Sequence, residues 1–491
     1  MKKIKFLKSF FLIISDDSLK IKYSTYLKKK YFNLNINKLS RSNLNFKFEL
    51  GYNLQNNSGE YAFIEIKDGK LKITSDFVSS YPIYYNNEKN SLILTTNIRL
   101  IHKIKKHTKK ISTKNLLDFY MFGFNASTDK TIYNKIEVIK PDSQYIFFNN
   151  KMSKKKLSFS KIKIKKLDMN IYFNYLVKKK EKLLSFDKSI LAITDGVDSN
   201  MLARKLKHNN IAFDCGNIGR SNSNDVLGGK ENSMILKRKF RHFPQNYTSK
   251  KNLLKLLLEY ANSTFGIGTS SEIFMLEFIK NLSKNYNFIF LGGGGEFYRN
   301  YFKNIKYFHS NYLTKKSTLK KFIKNKFFLK SEIDRKKIKD TNFSLEDFYI
   351  NKRYPKNTSR KYQFIKNYLF PINFFVDETL YKTYKKNRNR PKKSNLKFFE
   401  NIVLKQELKT LKLKKIEAFN LKNFFKLVKP VLIKELNIIK KENEFLIDKD
   451  KTLRIIKSDQ VSTSDKWFLL RILNLLIYNN VYFNHSNFSK L

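Results

Sequence analysis

The sequence predicts an α/β protein: a β-rich first third, then a parallel sheet with helices, then a helical tail. Three observations carry this expectation. Residues 1 to about 165 hold short apolar runs separated by turn residues, the pattern of strands. From about 170 the apolar period lengthens to that of helices. A strand-loop-helix order begins at residues 189–207 and is taken up again at 211–215 and 287–291, as a parallel sheet requires. With 491 residues the chain exceeds one compact core, and the change of period divides it into residues 1–165 and 166–491.

Each element has its own signal. The opening, from Met1 to Ile14, superficially has the look of a signal peptide. Its uninterrupted apolar run is only Phe10 to Ile14, shorter than the ~7–15 residues such a segment needs, so a strand is expected. The runs Tyr61–Ile66, Leu71–Ile73, Ile83–Tyr85 and Ser91–Leu94 read as strands, with turns at Lys67–Lys70 and Asn86–Asn90. Lys151 to Lys166 reads as a lysine-rich linker carrying a last strand. Residues 170–184 read as a helix, 189–193 as a buried strand and 199–207 as a helix. From about 310 the chain is expected to be mostly helical and is strongly basic. No stretch approaches the ~18 apolar residues of a membrane-spanning helix, so no membrane insertion is expected.

Composition excludes some classes. Apolar residues at 41% and aromatics at 15% exclude a wholly disordered chain. The formal charge is +58, with 14 arginines and 85 lysines. Such a charge suggests nucleic acid or an anionic membrane surface. The lysines, however, run through the whole chain beside abundant Asn, Ile, Phe and Tyr, as an AT-biased coding sequence would produce. Nucleic-acid binders more often cluster their basic residues and use arginine for bidentate contacts. A nucleic-acid partner is therefore not expected. The single cysteine, Cys215, excludes an intramolecular disulfide, a cysteine-based zinc site and a two-cysteine sulfur relay. It fits a reducing cytoplasm.

Chemistry concentrates in residues 191–200, Leu-Ala-Ile-Thr-Asp-Gly-Val-Asp-Ser-Asn. A buried strand runs into Thr194, the flexible Gly196 and the pair Asp198-Ser199, where a helix begins. Backbone N–H groups at that helix start, with the Thr194 and Ser199 hydroxyls, would cradle phosphate oxygens. Asp198 beside phosphates implies a bridging cation, so its expected role is a Mg²⁺ ligand. The competing reading is that Asp198 and Ser199 only cap the helix.

This loop resembles the S-G-G-x-D-S pyrophosphate loop of the ATP pyrophosphatases, and of the asparagine synthetase family in particular. Further segments match in order. Asp76 to Tyr85 looks like that family's D-x-x-G-x-x-P-L-Y-Y segment, and Thr95 to Arg99 follows where it has an S-S-E-x-K/R-like stretch. Thr131-Ile132-Tyr133 through Pro141-Asp142 resembles its T-x-F/Y…P-G element, and Leu291 to Tyr301 its L-S-G-x-G-x-D-E-L-F-x-G-Y loop. Phe370-Pro371 through Asp377 sits where it has P-F-L-D. The resemblance covers residues 55 to 380 or so. It implies an Ntn-type, amidotransferase-like first domain and a PP-loop (adenine nucleotide α-hydrolase-like) synthetase domain. It implies ATP and Mg²⁺ as cofactors, and a reaction that adenylates a small-molecule or peptide carboxylate before an amine displaces AMP. By the same resemblance Ile193 and Cys215 line the adenosine pocket, and Thr194, Asp195, Gly196, Asp198 and Ser199 hold the pyrophosphate. Gly292 and Gly293 approach the nucleotide, and Glu296 is the catalytic carboxylate, serving metal or substrate. A homodimer is compatible with it.

The sequence also departs from that pattern. The family's glutaminase nucleophile is a cysteine directly after the initiating methionine; here Lys2 stands there, followed by Lys3. Asp195 replaces a loop glycine, the second loop is about two residues short, and Gly294 stands where an acid is frequent. Lys414 and Lys415 lie in the region of the family's late catalytic lysine, but among 85 lysines such a match carries no weight. The expected function is ATP-dependent amide formation with ammonia or a substrate amine as donor. The alternatives are a non-catalytic relative acting as a partner protein and a tRNA-modifying enzyme of the same loop type.

Overall fold

The computed structural model describes residues 7–15, 18–25, 32–37, 46–54, 58–67, 70–88, 91–126, 129–148, 151–157, 169–244, 250–298, 313–331, 345–388, 417, 419–439, 445–458 and 460–482. The protein is an α/β protein with antiparallel sheets first, then a parallel five-stranded sheet with helices, then a helical C-terminal part.

The first part contains β1 (Leu7–Ser15), β2 (Ser18–Thr25), β3 (Phe32–Asn37), β4 (Phe46–Leu54), β5 (Ser58–Lys67) and β6 (Lys70–Ser75). It continues with β7 (Tyr84–Glu88), β8 (Ser91–Thr95), β9 (Glu137–Val138), β10 (Ser143–Phe148) and β11 (Lys151–Lys156). The strands run in the orders β11-β10-β6-β5-β4 and β3-β2-β1-β8-β7-β9, joined through one parallel contact of Leu7 with Leu50. Ile64, Ile66, Leu71, Ile73 and Tyr145 share one buried cluster with Ile83, Leu92 and Leu94. Alternation puts those residues on one side of their strands, and burial of that side holds the layer together.

The expected strands are all present, with two local differences. Asn86 and Asn87, expected in a turn, continue β7: Asn86 pairs with Ile93, and its buried amide donates to the Lys135 carbonyl at 3.0 Å. Two helices, α1 (Ile98–Ile104) and α2 (Thr113–Phe122), lie where mainly strands were expected. Asn97 and Ser112 cap them, each side chain accepting a backbone N–H. The linker residues 158–168 and the turn residues Asp68, Gly69, Lys89 and Asn90 lie outside the described residues.

The second part opens with α3 (Met169–Leu184), β12 (Ser189–Ala192), α4 (Val197–His208), β13 (Asp214–Gly219), α5 (Asn224–Ile235) and β14 (Phe240–Pro244). Next come α6 (Lys250–Thr264), α7 (Ile273–Leu282), β15 (Phe288–Leu291) and α8 (Lys316–Phe322). A helical run then joins α9 (Leu345–Phe348), a wide π-helical stretch Tyr349–Thr358 and α10 (Ser359–Lys366), before β16 (Phe370–Asn373). The strand order is β14-β13-β12-β15-β16, every neighbouring pair parallel. The strand expected at 211–215 begins only at Asp214, which pairs with Ile190; Ile211 is instead tied to the end of α4 by its N–H to Leu206 O at 2.9 Å. The helical C-terminal part includes α11 (Glu378–Arg388), α12 (Leu421–Ile438), α13 (Lys449–Lys457) and α14 (Thr463–Tyr482). Among the described residues no helix is long and apolar enough to cross a membrane. The largest buried cluster joins Tyr84, Tyr120 and Tyr133 of the first part to Tyr260, Phe364 and Tyr478 of the second, so the two parts share a core.

Candidate functional site

The parallel sheet places the site. Chain order runs outward from β12 to β14 on one side, then returns to β15 and β16 on the other. The strand order therefore reverses between β12 and β15, and ligands of open α/β sheets bind outside the carboxyl ends of strands at such a reversal. Both motif loops leave from there: residues 193–196 from β12 and residues 292–295 from β15.

The first loop is braced by its own side chains. Gly196 N–H donates to Thr194 Oγ1 at 2.9 Å, the Thr194 and Ser199 hydroxyls are 3.1 Å apart, and Ser199 Oγ donates to Gly196 O at 3.0 Å. Thr194 N–H donates to Ser199 Oγ at 3.1 Å, and Asn200 Nδ2 donates to the carbonyls of Thr194 and Gly196. The two hydroxyls thus face each other inside the loop. The capping reading fails on position: the residue at the cap of α4 is Gly196, and no side chain caps the helix. The start of the helix thus lies at the loop without a side-chain cap, and a helix N-terminus favours an anion.

Asp195 and Asp198 go different ways. A Cβ built on Gly228 of α5 would lie 2.6 Å from Asp195 Cβ and Oδ1, so the Asp195 side chain packs on that helix. The absent side chain of Gly228 makes room for it. Asp198 is directed to the second loop, where any side chain on Gly295 would overlap its carboxylate. Gly292 is less crowded but still tight: a Cβ there would stand 3.2 Å from Ser199 N. Gly293 faces the Tyr362 hydroxyl in the same way. Only glycine permits loops to approach so nearly.

Glu296 is half-buried and held from two sides. Gly294 N–H donates to Oε2 at 2.8 Å and Tyr349 Oη donates to Oε1 at 2.8 Å. Ile193 and Cys215 are fully buried in one cluster beneath the loop. They therefore sit behind the site rather than on an open wall of it. Burial pushes the Cys215 thiol up to about 11, so it is neutral and acts as a small apolar residue. No group of three metal-ligating side chains lies among the described residues. A lone carboxylate, Asp198, suits Mg²⁺ that arrives with phosphate oxygens and keeps its waters, the usual habit of this ion.

A second cluster, missed from the sequence, lies behind the site where the first part meets β16. Tyr52 Oη donates to Glu60 Oε2 at 3.0 Å, and Lys180 Nζ donates to Tyr52 Oη and Asn373 O, both at 2.8 Å. Asn373 N–H donates to Glu60 Oε2 at 3.1 Å, and its amide reaches Tyr354 Oη at 3.2 Å. Lys366 lies over the Tyr81 ring and donates to Ser80 O. Burial raises the Glu60 carboxyl, against the pull of Lys180 and Lys366. Burial lowers both lysines to about 8, so they remain charged at neutral pH. One signal was available: Lys180 falls on the apolar stripe Phe173, Leu176, Val177, Leu184 of α3, where a solvated lysine has no place.

Two further motif positions are informative. Ser79 and Asp142 stand where the resembled segments carry glycine, and both are left-handed, at φ 51° and 49°. That region is costly for a residue with a Cβ. Asp76 closes the first turn by accepting the N–H groups of Tyr61, Val78 and Ser80. Lys2, Lys3, Lys414 and Lys415 lie outside the described residues, as do Arg299, Asn300 and Tyr301 of the second loop motif. No family model and no curated protein matches this chain.

Proposed function

We propose that the protein is an ATP-dependent ligase that activates a carboxylate by adenylation, releases pyrophosphate, and forms an amide with ammonia or a substrate amine. In this reading the first part is Ntn-like without glutaminase activity, and the second is a PP-loop synthetase. The observation that carries it is the meeting of two glycine-bearing loops at the strand-order reversal, with Asp198 between them. The left-handed backbone at Ser79 and Asp142, both glycine positions of the resembled motifs, supports it from a different part of the chain.

Each group then has a task. First-turn N–H groups of α4 and the Thr194 and Ser199 hydroxyls would hold the departing pyrophosphate, the hydroxyls exchanging their mutual contact for phosphate oxygens. Asp198 would hold Mg²⁺, which neutralises charge that develops on the phosphates. Glu296, oriented by Tyr349, would meet the incoming amine or the carboxylate. The single cysteine, Cys215, is buried in the parallel sheet, so the first part offers no thiol to attack glutamine, and ammonia or a substrate amine is the donor in this reading.

The test is carboxylate-dependent exchange of labelled pyrophosphate into ATP, followed by incubation with ¹⁵N-ammonium or ¹⁵N-amide glutamine. Exchange with one of a panel of carboxylates, and label incorporated from ammonium alone, are expected. Absence of exchange with every carboxylate defeats adenylation; label from glutamine defeats the loss of glutaminase activity.

A further inference from the structure

The first part carries a cleft of about 1200 Å³, and none of the residues that line it belongs to the two glycine-bearing loops. The end of β7, with Glu88, forms one wall, and the chain from His107 through Lys110 to the start of α2 forms another. Between them lies the turn that carries Asn134 and Lys135. Backbone pairing fixes this arrangement. Ser112 N–H donates to Ile132 O at 2.8 Å and Asn134 N–H donates to Lys110 O at 2.9 Å, so residues 110–112 run beside 132–134. Lys130 stands opposite Glu137 in an antiparallel bridge. The sequence thus brings Lys110, Lys114, Lys130 and Lys135 to one concave surface.

The two carboxylates of the cleft are already committed. Glu88 lies 2.7 Å from His107 Nε2, 3.1 Å from Lys105 Nζ and 3.5 Å from Lys135 Nζ. Against its burial, the bonds from Lys105 and His107 hold the Glu88 carboxyl below its usual range, so it stays ionised. Glu137 Oε2 accepts the Tyr85 hydroxyl at 2.6 Å. Lys110 and Lys114 are exposed, and neither makes an ion pair or a side-chain hydrogen bond among the described residues. The Asn134 side chain likewise has no hydrogen-bond partner among them. Helix α2 sharpens the imbalance. Its N-terminal end is the positive end of the helix dipole, its first turn holds no acid, and Lys114 adds a further cation there. Lys135 is left-handed at φ 57°, and the buried Asn86 amide holds its carbonyl in place at 3.0 Å. A concave surface lined by one sign of charge concentrates counter-ions.

We propose that this cleft binds a small polyanion carrying two or three phosphate groups. Lys110 and Lys114 are its main cations, the Asn134 amide donates from between the walls, and Lys130 and Lys135 face it from the other side. Size and charge together select that class. A single phosphate would leave most of the cleft empty, and a neutral ligand would leave Lys110, Lys114 and the helix end uncompensated. The site is separate from the loops that would take ATP, so it stands or falls independently of them.

The experiment is calorimetric titration of the full-length protein with sodium tripolyphosphate, without Mg²⁺ and at constant ionic strength, beside inorganic phosphate and a short oligouridylate. A site-resolved readout accompanies it: lysine acetylation by acetic anhydride with and without tripolyphosphate, followed by mass spectrometry. The variants are Lys110→Gln with Lys114→Gln, Glu88→Gln, and Ser199→Ala in the first loop. A charge-matched control, Lys178→Gln with Lys182→Gln, changes two exposed lysines of α3. Wild type should bind tripolyphosphate saturably and at least tenfold more tightly than phosphate. Binding should weaken at least tenfold in the Lys110 and Lys114 pair and stay within twofold in the α3 pair and in Ser199→Ala. Glu88→Gln should bind severalfold more tightly, because it releases Lys135 and His107 to the ligand. Tripolyphosphate should protect Lys110 and Lys114 from acetylation and leave Lys178 and Lys182 unprotected. Both cleft lysines are exposed, so their variant should melt with wild type. Non-saturable binding, equal losses in the two lysine pairs, or no protection of Lys110 and Lys114 would overturn the proposal. So would binding lost only in Ser199→Ala, affinity unchanged or weaker in Glu88→Gln, or tighter Lys110- and Lys114-dependent binding of the oligouridylate, which would make the ligand a nucleic acid.

Discussion

The first loop and the buried seam behind it are built in opposite ways. The loop is made by contiguous residues, Thr194 to Asn200, braced by bonds that span two to six positions and partly open to solvent. The seam gathers Tyr52, Glu60, Lys180, Lys366 and Asn373 from across the chain and hides them from water. The difference is one of where free energy is stored. A half-exposed loop can lose a side chain with small effect on folding, whereas a buried ion cluster cannot lose one partner without stranding the other.

That contrast orders the expected effects. The largest falls on the seam. Lys180→Met leaves Glu60 buried without its main cation, and a loss of about 3–5 kcal/mol in unfolding free energy is expected by denaturant titration. Adding Glu60→Gln should restore much of it; failure of the double variant to recover would mean that Lys180 acts through packing alone. Next comes the loop. Asp198→Ala should lower kcat/KM by ~10²-fold, about 2.7 kcal/mol of transition-state stabilisation. Its melting temperature should stay within a few degrees, because Asp198 does not occupy the helix cap. A variant that melts far lower with turnover intact would reverse the contrast between loop and seam.

Smaller effects test the first part. Burial and then Lys109 depress His102 to about 3, so it is neutral when folded, whereas an unfolded histidine titrates near 6.5. The unfolded chain therefore binds the extra proton, and stability from this residue is present above pH 6.5 and is lost as pH falls toward 3. Asp142, raised by burial to about 7, works in the opposite sense, so variant and parent must be compared rather than one profile read alone. His102→Asn should remove part of the fall in melting temperature between pH 6.5 and 5. An unchanged difference between parent and variant over that range would contradict the assignment. Smallest is Ser79→Gly. Relief of the left-handed backbone is worth about 1 kcal/mol, partly offset by the freedom glycine gains when unfolded, and only a weak 3.4 Å hydroxyl contact to Ile139 O is given up. A modest gain in stability is expected by thermal melting.

What was legible in the sequence follows the same division. Strands with a period of two and the strand-to-helix turn at 189–208 are local signals, and they appear where expected. α2 was not legible because Leu116, Leu117, Phe119, Tyr120, Met121 and Phe122 are buried all round, which erases the one-sided stripe that marks a surface helix. The meeting of Asp198 with Gly295 was not anticipated, since no spacing in the sequence predicts it. Glu60 and Asn373 carry no sequence signal at all, since each looks like an ordinary polar residue until the two halves pack. Lys180 did carry one, its place on an apolar stripe. The packing of Asp195 against Gly228 of α5 was not legible either, since it depends on a contact between a loop and a helix distant in sequence.

The most direct measurement is the fate of ATP. Protein, Mg·ATP, ammonium and a panel of carboxylates are incubated and followed by ³¹P NMR, with Asp198→Ala alongside. AMP and pyrophosphate should form in equal amounts with one carboxylate and be lost in the variant. ADP and phosphate as the main products, or AMP formation untouched by Asp198→Ala, would contradict a carboxylate-adenylating site at these two loops.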